Sequence, residues 1–286
     1  MDLHFMSKSE TLEAPAHQIK PFIVLQWNVL AGGLGDAKAF PRVPPADLDQ
    51  QTRAKRIVDY LSHSELDIIV MEEMDFPNII SSALPGFDWK FQAKSSDNKS
   101  NPDGVMIGVR RSLDWSISDT RHHRYTDISG DAGSRLALEV ELRHKTEDRH
   151  LFVFGTHLKA KKMNSEIRLN EISQLLPRLM QIIDQGHPLI LAGDFNAEPH
   201  ESSVRAVIDS GMKKTVKSDT VHTTGKYHSE HDHAVRQIDY IFYGPRLVPV
   251  HSWQQSTHAL TDALLPDSHM PSDHLPIYCK FVIDDK

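Results

Sequence analysis

Short runs of apolar residues, rich in β-branched and aromatic side chains, recur along the chain between clusters of turn-forming residues. Runs of four to nine such residues bounded by Gly, Pro, Asn or Asp are typical of strands buried in a sheet. The pattern predicts strands at residues 21–27, 67–71, 87–91, 104–109, 136–142, 151–158, 189–192, 238–243 and 275–283.

Two segments instead show the spacing of an amphipathic helix. One covers residues 47–61, with Asp47 as the predicted N-cap. The other covers residues 165–184, carries one apolar stripe and ends before Gly186, and Pro177 is expected to kink it or split it in two. Strands outnumber helices and include hairpin-like pairs, which indicates α/β architecture with mixed sheets rather than one parallel sheet.

The length of 286 residues and the absence of an evident linker or repeat predict one large domain over residues 21–286. Residues 1–20 are polar and unpatterned, which predicts a disordered lead-in. No apolar run approaches the ~20 residues that span a bilayer. A single cysteine, Cys279, excludes an intramolecular disulfide and a cysteine-based zinc site. We therefore expect a cytoplasmic or nuclear protein without a membrane partner.

The charge balance bears on the class of substrate. Lys and Arg total 32 against 39 Asp and Glu, a formal net charge of −7. A protein that binds long nucleic acid through its phosphates is usually basic on that face. The balance favours a small anionic substrate, or a short nucleic-acid end held by a local basic patch.

Polar residues suited to catalysis follow, interrupt or precede the predicted strands, where layered α/β folds place their ligands. These residues are Asn28, Glu73, His157, Asp194, Asn196, Asp239, Asp273 and His274. Carboxylate and amide oxygens are hard ligands that suit Mg²⁺ or Mn²⁺ rather than zinc. A histidine paired with a carboxylate can deprotonate water or stabilise an oxyanion. The set predicts hydrolysis of a phosphate ester assisted by a divalent cation.

Most of these residues mean little alone, because a single Asp or Asn at a strand end usually caps a turn. Two longer motifs are more specific, the heptad at residues 193–199 and the hexapeptide at residues 271–276. Together with residues 25–30, 67–73, 101–104, 156–160 and 238–240, they resemble the endonuclease/exonuclease/phosphatase superfamily, in its nocturnin and carbon-catabolite-repression deadenylase branch. The resemblance implies a four-layer α/β sandwich of two packed mixed β-sheets flanked by helices.

The resemblance also implies a role for each residue that matches a family motif. Glu73 is similar to the principal Mg²⁺ ligand, assisted by Asn28 and Asp273. Asp194 and Asn196 resemble the pair that orients the attacking water and the phosphate, and His157 resembles the histidine that contacts the phosphate. Asp239 and His274 resemble the orienting carboxylate and its imidazole partner. The substrate-binding positions implied are Asn28, Lys94, Lys159 and Lys161.

Some residues depart from the family pattern. Glu72 replaces the usual glutamine, and because adjacent strand residues face opposite ways we expect it to point away from the metal. Lys161 replaces an arginine, which keeps the charge and loses a bidentate fork. Gly225 stands where the family has a tryptophan. The histidine-rich segment 228–233 matches no standard zinc spacing, so a solvated loop is favoured over a second metal site.

Three functions remain open at this point. The first is a nucleotide phosphatase that removes the 2′-phosphate of NADP(H), which the acidic charge favours. The second is a 3′-to-5′ exoribonuclease that acts on the 3′ end of poly(A) RNA. The third is a catalytically inactive binding module, which is disfavoured because no residue of the core set is missing. In each case we expect a monomer.

Overall fold

The computed structural model describes residues 20–94, 102–216, 221–227, 233–254 and 265–284. The predicted lead-in at residues 1–20 lies outside this range except for Lys20, and so does most of the histidine-rich segment 228–233. Within these described residues, fourteen strands occur in chain order. They are β1 (Phe22–Asn28), β2 (Ile68–Met74), β3 (Phe87–Ala93), β4 (Gly104–Arg110), β5 (Trp115–Thr126), β6 (Ala132–His144), β7 (His150–His157), β8 (Leu189–Asp194), β9 (Lys213–Lys214), β10 (Thr224–Tyr227), β11 (His233–Arg236), β12 (Asp239–Tyr243), β13 (Leu247–Gln254) and β14 (Ile277–Ile283).

Five α-helices accompany these strands in the described part of the chain. They are α1 (Pro45–Leu48), α2 (Gln50–Ser62), α3 (Pro77–Ala83), α4 (Ser165–Asp184) and α5 (Ser202–Asp209). The strands form two six-stranded mixed sheets, in the orders β13-β14-β1-β2-β4-β3 and β5-β6-β7-β8-β12-β9, while β10 and β11 form a separate hairpin. β1 pairs with β2 in parallel in the first sheet, and β7 pairs with β8 in parallel in the second.

The apolar residues of the sheets form three layers of core. The inner layer lies between the two sheets and includes Val24, Val70, Leu138 and Ile190. A second layer packs the outer face of the first sheet against α2 and α3, and a third packs the outer face of the second sheet against α4 and α5. The predicted α/β sandwich of four layers, helices–sheet–sheet–helices, is therefore confirmed.

Two points of the helix predictions need correction: the N-cap of the first helix, and the possible splitting of the second at Pro177. The predicted helix 47–61 is two helices, and its cap is Asp49, whose side chain accepts a hydrogen bond from the backbone N–H of Thr52 at 2.8 Å. Asp47 instead forms a 2.7 Å ion pair with Arg56. Helix α4 continues through Pro177 rather than splitting there. Pro177 lies on the exposed face, where water can hydrate the carbonyl that loses its N–H partner.

The helices of the described residues also bear on the membrane prediction. None of them combines the length and the apolar composition needed to cross a bilayer.

Candidate active site

The register of the strands brings residues from both sheets to one edge of the sandwich. In the first sheet Asn28 at the end of β1 lies beside Glu72 of β2. In the second sheet Asp194 at the end of β8 lies between His157 of β7 and Asp239 of β12. Four of these residues end or begin a strand, and Glu72 lies two residues before the end of β2. Their side chains meet between the two sheets. All five residues are buried.

Gly193 allows the close approach of β7 and β8 that this arrangement requires. A Cβ atom at this position would lie 1.9 Å from the carbonyl oxygen of Thr156, far inside the van der Waals distance. The glycine before Asp194 is therefore a packing requirement of the site, and it explains one residue of the heptad at 193–199.

A bulge in β2 changes the direction of the predicted metal ligand. The register between β2 and β4 shifts between Met71 and Met74, and Glu73 has a φ of 56°, in the left-handed region that is uncommon for a residue with a side chain. The expectation that Glu72 and Glu73 face opposite ways is therefore wrong. Both carboxylates enter the polar centre between the sheets, because the extra residue interrupts the alternation of a regular strand.

Glu73 is held by donors from the last residue of β1 and from the loop that follows it. Its Oε1 accepts a hydrogen bond from Nδ2 of Asn28 at 3.2 Å, and its Oε2 accepts one from the backbone N–H of Ala31 at 3.0 Å. Nδ2 of Asn28 also donates to Oδ2 of Asp194 at 2.9 Å, while its Oδ1 accepts from the N–H of Leu30 at 3.0 Å. Asn28 thus joins the carboxylates of the two sheets.

Asp194, Asn196 and His157 form the second part of the centre. Oδ1 of Asp194 accepts the backbone N–H of Asn196 at 2.8 Å, which stabilises the left-handed conformation of Asn196 at φ 50°. Nε2 of His157 lies 3.0 Å from Nδ2 of Asn196, 3.6 Å from Oδ2 of Asp194 and 3.9 Å from Oε1 of Glu73. The imidazole therefore faces both carboxylates.

Asp239 and His274 form a hydrogen-bonded pair on the other side of Asp194. Nδ1 of His274 lies 2.8 Å from Oδ2 of Asp239, and its Nε2 lies 3.9 Å from Oδ2 of Asp194. Two further donors fix the Asp239 carboxylate: Nε2 of Gln26 at 3.1 Å and the hydroxyl of Thr223 at 2.6 Å. Nε2, the other imidazole nitrogen of His274, is thereby directed toward Asp194.

Asp273 is placed next to this pair by contacts of its backbone. Its carbonyl accepts hydrogen bonds from the hydroxyl of Thr224 at 2.8 Å and from the N–H of Gly225 at 3.2 Å. The fully buried Arg53 donates to the carbonyls of Val29 and Pro271, both at 2.9 Å, and so ties together the loops that carry Asn28 and Asp273.

The three predicted substrate-binding lysines occupy different environments. Lys94 is nearly buried, forms an ion pair with Asp103, and places its Nζ 3.0 Å from Nδ1 of His157. Lys161 is exposed, has a φ of 78°, and follows the half-buried Lys159. The buried Arg168 of α4 donates to the carbonyls of Lys159 and Lys161 at 3.0 and 2.8 Å, so the helix fixes this basic loop beside His157.

Burial and crowding perturb the acidity of the central groups. Burial, followed by the charge of Asp239, raises the pKa of Asp194 to about 7. Burial, followed by the charge of Lys94, lowers the pKa of His157 well below its usual value, so its imidazole is neutral at pH 7. Burial also disfavours the charged form of His274, but the charge and hydrogen bond of Asp239 outweigh it and raise its pKa. Perturbed groups of opposite kinds in one cleft are typical of a catalytic centre.

The donor set fits a hard divalent cation. Single ligand atoms of Glu73, His157 and Asp194 lie within 4.8 Å of one another, and so do those of Asp194, Asp239 and His274. Oδ1 of Asp273 is buried and has no hydrogen-bond partner among the described residues, so it keeps its lone pairs for a ligand. Oxygen donors of this kind suit Mg²⁺ or Mn²⁺.

The environment of Glu72 differs most from the prediction made from the sequence. It is fully buried, accepts a hydrogen bond from Nε2 of Gln26 at 2.8 Å, and has a second oxygen without a partner among the described residues. Burial raises the pKa of Glu72 well above its ordinary value of 4.5, and the charges of Asp239 and Asp194 act in the same direction. Burial therefore favours the neutral acid, which is close in shape and charge to the family's glutamine.

Replacing Glu72 by glutamine is expected to stabilise the protein increasingly as the pH rises. Native Glu72 keeps a proton that the unfolded chain loses above about pH 4.5, so this group makes unfolding easier by up to about 1.4 kcal/mol per pH unit. Glutamine cannot lose that proton. Thermal unfolding midpoints of wild type and Glu72→Gln, measured between pH 5 and 9, should diverge in favour of the variant. A gap that stays constant with pH would contradict the buried neutral acid.

Three residues that hold the site were not among the sequence-predicted site residues. Gln26 could have been recognised from the sequence, because it is a polar residue inside an apolar predicted strand. Arg53 lies on the buried side of an amphipathic helix, and Thr223 follows a segment without a strand pattern, so neither stands out before the chain is folded. All three are fully buried and orient other residues.

Two sheets enclosing carboxylates, histidines and amides around a hard-cation site define the class of metal-dependent phosphoesterases. Residues 25–274 match the model of the Endonuclease/Exonuclease/phosphatase family, so the chain belongs to that family. The family is metal-dependent, and membership makes the chain a hydrolase of phosphoester or nucleic-acid substrates.

Within the family, the chain is similar to nocturnin and to Ccr4 proteins. Nocturnin of Mus musculus is 28% identical over 294 residues, which cover 93% of this chain and 66% of nocturnin. The CCR4-Not complex 3′-5′-exoribonuclease subunit Ccr4 of Kluyveromyces lactis is 22% identical over 325 residues, which cover 92% of this chain and 41% of Ccr4. The chain thus spans about two thirds of mouse nocturnin and less than half of the yeast protein.

A solved structure supports the same relationship. The human nocturnin catalytic domain with bound sulfate anion superposes with a TM-score of 0.71 at 25% sequence identity. The similarity covers 92% of this chain and 94% of the human domain. The chain is therefore a nocturnin-like member of the family in both sequence and fold.

Proposed function

We propose that the chain hydrolyses a phosphate monoester on a nucleotide, with the 2′-phosphate of NADP(H) as the favoured substrate. The observation that carries the proposal is the convergence of seven side chains from both sheets between the two parallel strand pairs. These residues are Asn28, Glu73, His157, Asp194, Asn196, Asp239 and His274. The nocturnin relatives and the net charge of −7 support a small anionic substrate.

The proposed metal ligands are Glu73, Asn28 and Asp273, and Mg²⁺ is the proposed ion. A hard cation in this position supplies positive charge where negative charge grows on the phosphate oxygens. Asn28 would use its Oδ1, which carries one hydrogen bond from Leu30 and retains a second lone pair.

The remaining residues are proposed to orient water and phosphate. Asp194 has a pKa of about 7 and faces Nε2 of His274, so these two groups are placed to accept and hold the proton of the attacking water. Neutral His157 is placed to donate a hydrogen bond to a phosphate oxygen, and Asn196, whose amide donates to Oδ2 of Asp194 at 3.3 Å, is proposed to orient Asp194. Lys159 and Lys161 are proposed to attract other anionic parts of the substrate from the rim.

A second candidate is hydrolysis at the 3′ end of RNA. The similarity to the Kluyveromyces lactis 3′-5′-exoribonuclease subunit favours this candidate, because the aligned region covers 92% of this chain. The exposed Lys161 and Lys162 beside the site would suit a nucleic-acid backbone. The two candidate functions use the same catalytic residues. They differ in the part of the substrate that the lysines beside the site bind.

A direct comparison of substrates tests the proposal. Purified protein with Mg²⁺ is incubated with NADP⁺ and, separately, with an adenosine oligonucleotide, and the Glu73→Gln variant serves as the control for contaminating activity. We expect inorganic phosphate and NAD⁺ from the first substrate. Release of AMP from the oligonucleotide alone would assign the exoribonuclease activity instead, and no product from either would overturn both candidates.

A further inference from the structure

The side chain of Lys94 is more buried than is expected of a lysine that binds substrate at the protein surface. Its side chain is 12% exposed and that of its ion-pair partner Asp103 is 11% exposed. The backbone N–H of Lys94 donates to the carbonyl of Asp103 at 2.9 Å, so the two residues are joined twice. The ammonium group is therefore held in one place, with its remaining hydrogens directed away from the carboxylate.

One of those hydrogens meets the imidazole of His157. Nζ of Lys94 lies 3.0 Å from Nδ1 of His157, within hydrogen-bond distance. An ammonium group has three donors and no acceptor, so Nδ1 can only be the acceptor of this bond. A proton on Nδ1 would place two donors face to face in a buried site. The contact with Lys94 therefore favours the imidazole proton on Nε2.

Nε2 also faces a donor, the side-chain amide of Asn196. The ammonium of Lys94 is charged and therefore forms the stronger hydrogen bond with the imidazole, so the contact at Nδ1 decides the tautomer. The amide nitrogen of Asn196, 3.0 Å away, has two hydrogens, and both have other acceptors: the carbonyl of Leu158 at 3.1 Å and Oδ2 of Asp194 at 3.3 Å. Nε2 is therefore not needed as an acceptor. Its own N–H faces the side of the site that Glu73 and Asp194 occupy, where the substrate phosphate would bind.

We propose that Lys94 is a positioning residue that, anchored by Asp103, fixes the Nε2–H tautomer of His157 and so presents one hydrogen-bond donor to the substrate phosphate. This inference rests on the proposed function for the identity of the acceptor, and it departs from the expectation that Lys94 grips the substrate itself. Fixing the tautomer before binding removes the cost of selecting it during the reaction.

The tautomer is measured without substrate. Protein labelled with ¹⁵N in its histidines is examined by two-bond ¹H–¹⁵N correlation spectroscopy, and the His157 signals are assigned by their loss in His157→Gln. We expect a single species with the proton on Nε2 in the wild type. In Lys94→Met, signals of imidazole protonated on Nδ1 should emerge, because the ammonium no longer blocks that nitrogen. Asp103→Asn should produce the same signals in smaller proportion.

Kinetics separate a positioning role from direct binding. For Lys94→Met we expect kcat to fall by about 100-fold with KM within about twofold of wild type, as when a donor used only in the transition state is lost. Lys90→Met, at an exposed lysine of β3, the strand that Lys94 directly follows, is the matched control and should leave both constants unchanged.

Two results would overturn the proposal. A wild-type His157 protonated on Nδ1 excludes it outright, even if the variants do not fold. A raised KM in Lys94→Met with unchanged kcat and unchanged imidazole signals would make Lys94 a direct phosphate ligand. The spectra require no turnover, so failure of the proposed substrate leaves this test intact.

Discussion

Replacing Glu73 by glutamine is expected to lower kcat by about 1000-fold while the protein remains folded. The carboxylate is the central donor of the proposed metal site, and the amide keeps its shape and an oxygen for the N–H of Ala31 but loses the charge that binds a cation. The effect should be measured as kcat and KM over a range of Mg²⁺ concentrations, together with the thermal midpoint.

The control for this variant is Glu65→Gln, at an exposed glutamate just before the same strand. It removes one negative charge outside the site and should leave turnover and its Mg²⁺ dependence unchanged. If Glu73→Gln retained wild-type kcat at the same Mg²⁺ concentration, the assignment of Glu73 as the principal ligand would be wrong.

Replacing His274 by alanine is expected to lower kcat by about 1000-fold, the middle of the range for loss of a positioned acid–base group. Asp239→Asn should have an effect of similar size, because the carboxylate acts through its 2.8 Å contact with Nδ1 of His274. The double variant should be little slower than either single variant, since residues that act as a unit are not additive.

Measurement of kcat for the four members of this cycle tests the pairing. His269→Ala, at an exposed histidine of the same loop, is the control and should behave as wild type. If the reduction in kcat of the double variant equals the product of the two single reductions, Asp239 and His274 act independently. The proposed hydrogen-bonded pair would then not act as a unit in catalysis.

The strands of the inner core were predictable because burial on both faces leaves an almost continuous apolar run. β8 is a clear case, since every residue from Leu189 to Asp194 is buried. The strand β5 was not predicted, because most of its residues are exposed or half-buried at a sheet edge and its polar composition hides the pattern. Burial produces the apolar pattern, and β5 lacks that pattern because few of its residues are buried.

The chemistry of the site was readable from the sequence where a residue type is unusual for its place. Asp194 and Asp239 stand at the ends of apolar strands, and the strand register indeed sets them side by side. The direction of Glu72 was not readable, because it depends on a bulge and a left-handed residue at Glu73 rather than on alternation. The contact of Thr223 with Asp239 likewise depends on how a distant loop packs.

The central claim is that one hard cation binds between the two sheets on the carboxylate of Glu73. Crystals of the wild-type protein soaked in Mn²⁺ and measured at the manganese absorption edge test this claim directly, because the anomalous signal locates the ion itself. We predict a peak at about 2.2 Å from a carboxylate oxygen of Glu73, in the centre shared with Asn28 and Asp194. Manganese bound only at other surfaces, with no peak at Glu73, would contradict the account.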